Sequence, residues 1–194
     1  PEPDGGDGLY WAPTLAADRF IELPTAQRWQ MLAQTWLDLP ARPGLIGRRG
    51  PDGKTYGALS DALYSTAAPL DRRLLLDLLA GLPVGAGVSD TSASAALVWR
   101  RPRWARRLQP EPVGDLLTEA RLLGLVGRGA LSTPGRALLH DDEAATLAAM
   151  TRALPKPVDH FLVQADLTVV VPGPLERDLA EELGVVATVE SAGA

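Results

Sequence analysis

PVGDLLTEARLLGLVGRGALSTPGRALL, residues 112–139, is the stretch that decides the fold. Its first part sets Leu116, Leu117, Ala120 and Leu123 at helical spacing, which makes one apolar stripe ending at Gly124. Proline at the first turn is harmless, because the N–H it lacks has no helical partner there. In LVGRGALS, residues 125–132, two short apolar runs flank Gly127-Arg128-Gly129, the spacing of a minimal hairpin. TPGRALL then opens another short helix. Upstream, Asp71 is expected to cap a helix that turns Leu74, Leu75, Leu78 and Leu79 inward and stops at Gly81 and Pro83. A second short helix over residues 91–99 ends at Trp99. Three helices and then a tight hairpin is the order of a winged-helix-like domain, placed at residues 67–140.

Working towards the N-terminus, Trp29, Leu32, Ala33 and Trp36 repeat at i, i+3, i+4 and i+7, so 25–37 reads as an amphipathic helix. Thr25 suits its cap and Pro40 its stop. Residues 40–57, rich in Pro, Gly and Arg, read as loop, and a helix is expected over 57–65. The opening PEPDGGDG has the composition of a linker and lacks an initiator methionine. Residues 1–66 are therefore read as a linker and helical N-terminal region, cut from a longer chain.

Beyond the hairpin, residues 141–154 form a helix with Leu147, Met150 and Leu154 inward and acids in its first turn, where the helix dipole favours them. In FLVQADLTVVV the period changes to two. Phe161, Val163, Ala165, Leu167, Val169 and Val171 would share one face of a strand over 161–171, with Gln164, Asp166 and Thr168 on the other. Pro172-Gly173-Pro174 turns the chain. Leu175, Leu179 and Leu183 mark a helix ended by Gly184, and residues 185–190 are expected to pair with the first strand in parallel. Residues 141–194 thus read as a helix plus the start of a truncated α/β unit. The expected class is α+β: a mostly helical N-terminal part with a winged-helix-like domain, then a small incomplete α/β unit.

Composition narrows the chemistry. Of 194 residues, 46% are hydrophobic and 22% charged, which fits a chain that folds rather than a disordered one. With no cysteine, disulfides, thiolate zinc sites and cysteine nucleophiles are excluded. His140 and His160 alone leave little for a metal site or a histidine-based triad. No apolar run reaches the ~20 residues that span a bilayer. The expectation is a cytoplasmic protein with no cofactor, no metal, no membrane and no enzymatic activity. The net charge of −5 is uneven: residues 1–139 carry 16 basic and 14 acidic side chains, residues 140–194 carry 3 and 10.

Four candidate sites follow from residue type. Gly47 to Thr55, GRRGPDGKT, resembles a phosphate-binding loop, but Gly47 and Gly50 stand at the wrong distance from Gly53-Lys54-Thr55. Pro51 also removes an amide donor, so a solvated turn is the better reading. WRRPRWARR, residues 99–107, holds five arginines and no acid. Arg100, Arg101, Arg103, Arg106 and Arg107 could neutralise phosphates, and an exposed Trp104 or Trp99 could stack on bases. Alternatively both tryptophans anchor a core and the arginines pair with acids. Asp115 and Glu119 outweigh Arg121 on the third helix, which counts against base reading there. Asp166 and His160 lack partners in sequence and read as structural.

The stretch VQADLTVVVPGPLERDLAEELGVVATVES resembles the opening of the helicase-associated domain shared with the N-terminal region of XPB-type DNA helicases, in the form found in actinobacteria. Gln164-Ala165-Asp166-Leu167-Thr168, Pro172-Gly173-Pro174-Leu175 and Val189-Glu190-Ser191 carry the resemblance. WRRPRW followed by EARLLGLVGRGALSTPGRALL is similar to the region preceding that domain. The resemblance implies a non-catalytic part of a larger DNA-processing or repair protein, without the ATPase motors. Its partners would be DNA, bound weakly and with little sequence preference, or helicase and repair proteins. The alternative is a protein–protein scaffold that docks partners through its acidic third helix and acidic C-terminal unit.

Overall fold

The computed structural model describes residues 2–4 and 10–190. The chain is mixed α+β, dominated by helices, with three two-stranded antiparallel sheets among the described residues. It divides into two compact units, one running to Thr151 and one from Arg152 onward.

In the first unit, β1 (Glu2–Asp4) pairs with β2 (Tyr10–Ala12), so part of the linker-like opening is strand. The rest of PEPDGGDG, residues 1 and 5–8, lies outside the described residues. An unforeseen helix α1 (Leu15–Glu22) follows; none of its residues is buried. Next comes α2 (Thr25–Asp38), which buries Ala33, Trp36 and Leu37. Leu32, expected inward, stays largely exposed, because Leu37 fills the core in its place. The helix expected over 57–65 is only a 3-10 turn at Asp61–Leu63.

The core is built by α3 (Ala68–Ala80), α4 (Asp90–Arg100) and α5 (Pro110–Leu122), with Ala33, Trp36 and Leu37 of α2 packed into the same cluster. Asp71 is not the cap of α3. The helix begins at Ala68, and Asp71 sits buried in its first turn. Leu75, Leu76 and Leu79 face Leu97 of α4 and Val113, Leu116 and Ala120 of α5 in one apolar cluster. Close to 2 kcal/mol of transfer free energy for each fully buried leucine makes this cluster the main source of stability.

After α5 the chain turns at Gly124, whose φ of +67° suits glycine. The indole of Trp29 seals this corner by donating to the Leu123 carbonyl at 2.6 Å. β3 (Val126–Gly127) and β4 (Ala130–Leu131) then pair through a two-residue turn. Arg128 and Gly129 both have positive φ there, the geometry that matches strand twist in tight hairpins. Val88, between α3 and α4, donates its N–H to the Gly129 carbonyl at 3.1 Å, adding an extended segment to the hairpin. α6 (Thr133–Leu138) is capped by the Ser132 hydroxyl. Its Arg136 donates to the Ala80 and Leu82 carbonyls at the end of α3. α7 (Glu143–Ala153) buries Thr146, Ala149 and Met150, while Leu147 and Leu154 are half-buried.

The second unit departs most from expectation. Residues 161–171 are not one strand: β5 (Leu162–Val163) and β6 (Val169–Val170) form a short antiparallel hairpin. The chain reverses because the Asp166 carboxylate accepts from the Thr168 N–H at 3.0 Å and the Thr168 hydroxyl at 2.7 Å. Such a side-chain-to-backbone bond builds a turn within an apparently alternating run. Leu167, expected inward, sits at φ +69° and is 86% exposed. α8 (Arg177–Val186) runs through Gly184, so residues 185–190 add no strand and the expected parallel pairing is absent. The one parallel bridge among the described residues joins Val158 and Leu175, outside both 161–171 and 185–190.

Candidate nucleic-acid interface

The basic stretch begins in the last turn of α4 and continues as a 3-10 helix over Pro102–Arg107. Leu97 and Leu108, at its two ends, are both fully buried and pin it to the core. Ser94 adds a bond from its hydroxyl to the Leu108 carbonyl at 2.6 Å. Between these anchors Arg100, Arg101, Arg103 and Arg106 are exposed, and among the described residues none of the four has an ion pair with a carboxylate.

Arg107 is different. Its Nε donates to Asp71 at 2.8 Å, and its guanidinium lies 4.3 Å from the centre of the Trp104 ring. Burial pushes the Asp71 carboxyl up, and Arg107 partly offsets that rise. Trp104 is half-buried against the core and also carries Arg101 over its ring at 5.5 Å. The two tryptophans thus separate: Trp104 is an anchor, whereas Trp99 is 87% exposed. Helix geometry accounts for Trp99, which stands two residues past Leu97 and so points away from the buried side. That signal was present in the sequence.

Two of the three acids of α5 are drawn off the open surface, while Glu111 stays exposed. Glu119 is buried, where its carboxylate accepts from the Trp36 indole at 2.7 Å and the Gly44 N–H at 2.8 Å. It also faces Arg72, wholly buried, at 3.4 Å. Arg72 in turn donates to the Leu39 and Ala41 carbonyls at 2.5 and 2.6 Å and lies over the Trp36 ring. This network ties α2, the loop after it, α3 and α5 together. Arg48 reaches across from the loop to Glu111 at 2.9 Å and to Asp115. The charge balance of α5 therefore includes cations from a segment more than 60 residues earlier.

Elsewhere the sequence candidates are structural. GRRGPDGKT forms a tight turn closed by an Arg49–Thr55 bridge, and an extended segment follows Lys54 rather than a helix. His160 lies 3.0 Å from the Asp159 carboxylate on the surface. Asp166 is the turn residue described above; hydrogen bonds from Thr168 hold its carboxyl below the usual range. No three His, Asp or Glu side chains among the described residues are grouped to hold a metal ion. A cleft of about 240 Å³ between α5 and the hairpin, lined by Asp90, Thr118 and Arg121, is smaller than typical small-molecule sites. No described helix is long and apolar enough to cross a membrane.

No protein-family model matches the chain, and searches of the curated proteins and of the solved structures return no similar protein.

Proposed function

We propose that the chain is a non-catalytic, cytoplasmic DNA-binding module of a larger DNA-processing protein, with residues 67–140 serving as a winged-helix-like domain. The observation that carries this reading is the cluster of four exposed arginines, unpaired with any carboxylate, at Arg100, Arg101, Arg103 and Arg106. Such a cluster in an acidic chain is suited to phosphates, because each neutralised phosphate releases counterions. The order α3, α4, α5 and hairpin, with Val88 hydrogen-bonded beside the hairpin, supports the winged-helix part. Exposed Arg121 and Arg128 add positive charge on α5 and at the hairpin turn. The helicase-associated part of the reading rests on the resemblance of residues 163–191 and of the upstream WRRPRW and EARLLGLVGRGALSTPGRALL stretches.

The acidic helix supports the scaffold reading less than its composition suggests, since Glu119 is buried and Asp115 is paired with Arg48, while Glu111 stays exposed. The scaffold reading keeps the acidic C-terminal unit, where Glu176, Asp178, Glu182 and Glu190 are exposed, and Val185, Val186 and Val189, which are more than 80% exposed.

The test is DNA binding over a salt series. Three or four phosphate contacts give a slope of log K against log salt near −3, at about −0.9 per contact. Replacing Arg100, Arg101, Arg103 and Arg106 by alanine should abolish binding. Arg107 must be kept, because it pairs with buried Asp71 and its loss would confuse folding with binding. Unchanged affinity in the folded four-alanine variant would favour the scaffold.

A further inference from the structure

Trp99 is unlike the other tryptophans whose side chains the structure describes. Trp36 is buried and donates its indole N–H to Glu119. Trp29 donates to the Leu123 carbonyl. Trp104 packs on the core beneath two guanidinium groups. Trp99 has none of these: its ring is 87% exposed, and its N–H has no hydrogen-bond partner among the described residues. Ala95 and Ser92, one and two turns earlier on the exposed side of α4, are too small to shield it. An indole offers 150–250 Å² for burial, so leaving one in water forgoes a large stabilisation.

The surroundings select what could cover the ring. Arg100 adjoins it and Arg103 follows four residues later, both exposed and, among the described residues, without an ion pair to a carboxylate. A protein partner would be matched by an apolar surround, and the exposed residues that flank Trp99 most closely along the chain are Ala95, Arg100, Arg101, Pro102 and Arg103. Cations that track a phosphate backbone beside a bare aromatic face are the elements of single-strand recognition. In duplex DNA the bases are already stacked on each other, so a protruding indole must first unstack a step, at a cost in free energy.

We propose that Trp99 is a stacking platform for a base of single-stranded DNA, whose phosphates are held by Arg100, Arg103 and Arg106. This rests on the DNA-binding reading above and adds to it a preference for single strands. Because a π-face accepts every base, the preference carries little sequence information.

The test compares an oligothymidylate of about 16 nucleotides with a duplex of the same length, using the whole chain and the Trp99→Ala, Trp99→Phe and four-arginine variants. Trp99→Ala should weaken oligothymidylate binding about 5- to 150-fold, the loss of one base–aromatic stack, and leave the salt slope unchanged. Duplex affinity should change less than about twofold, and Trp99→Phe should recover most of the loss. Oligothymidylate should quench tryptophan fluorescence in the parent and much less in Trp99→Ala. If the four-arginine variant loses binding while Trp99→Ala binds both probes like the parent, stacking is wrong and the DNA reading stands. Equal losses on both probes in Trp99→Ala also overturn stacking. If the parent binds neither probe, both readings fall together.

Discussion

Leu75, Leu79 and Leu97 have almost no exposed surface, whereas Leu175, Leu179 and Leu183, spaced at every fourth residue, are only partly buried. The first three lie in the unit that ends at Thr151, where α2, α3, α4 and α5 enclose one cluster. The others lie in the unit from Arg152, in which no described residue is buried. A periodic apolar stripe marks the side that would face a core. It becomes a core only when a second layer supplies the opposing surface. A unit of roughly forty residues with one hairpin and one helix has too little surface to bury to make that layer itself.

The charged residues repeat the contrast. In the first unit, Asp71 and Glu119 are drawn inward and paired with Arg107 and Arg72. In the second, Asp159 and Asp166 stay at the surface and serve local turns and pairs. The predictions below separate the two units, beginning with the largest expected effect.

Glu119→Ala should cost about 3–5 kcal/mol in chemical denaturation, because it leaves wholly buried Arg72 without its carboxylate. A loss below about 1 kcal/mol would mean that the network is not the clamp between α2, α3 and α5. Leu97→Ala should cost about 2–5 kcal/mol by opening a cavity in the same core. Its counterpart in the second unit, Leu167→Asp, should shift stability by less than about 0.5 kcal/mol. That side chain is exposed, and aspartate tolerates its positive φ better than leucine does. A large loss from Leu167→Asp would restore the single-strand expectation for 161–171.

Within the basic stretch, Arg107→Ala should destabilise by about 1–3 kcal/mol by stranding buried Asp71. Arg106→Ala, exposed and unpaired, should stay within about 0.5 kcal/mol. Thermal melts of the two variants side by side decide this, and equal melts would put Arg107 back among the phosphate-binding candidates.

The smallest effect is electrostatic and opposite in sign between the units. Carboxyl NMR titration should place Asp71 and Asp115 above the ordinary 3.8, because burial penalises their charged forms. Asp159 and Asp166 should titrate below 3.8, because hydrogen bonds from His160 and Thr168 favour their charged forms. Linkage follows. For Asp71 and Asp115 the folded chain binds more protons just above pH 3.8, so their contribution to stability falls as pH rises through that window. For Asp159 and Asp166 the contribution is present above 3.8 and lost as pH falls through their lower folded values. Thr168→Val should move Asp166 back towards 3.8 and leave Asp71 untouched.

Much of the first unit is legible in sequence because its signals are local. The stripe of α5, the Gly124 stop and the Arg128-Gly129 turn each depend on residues within a turn or two of one another, whereas Thr25, expected as the cap of α2, is its first helical residue and Pro24 holds the cap position. Trp99's outward direction follows from its spacing to Leu97. The second unit misleads for a reason equally local: a period of two is shared by a strand and by a hairpin whose Asx turn falls at even spacing. The alternation of FLVQADLTVVV could not reveal that Asp166 would fold the run back on itself.

By itself, then, the sequence determined a helical first unit with a tight hairpin, a cysteine-free chemistry, and one concentrated run of arginines. Tertiary structure decided which of those charges are available. Arg107 is held by Asp71, 36 residues earlier, and the acids of α5 are held by Arg48 and Arg72, on segments 47 to 67 residues away. Pairing of that kind depends on which segments the core brings side by side, and composition counts a charge the same whether it is buried in a pair or open to solvent.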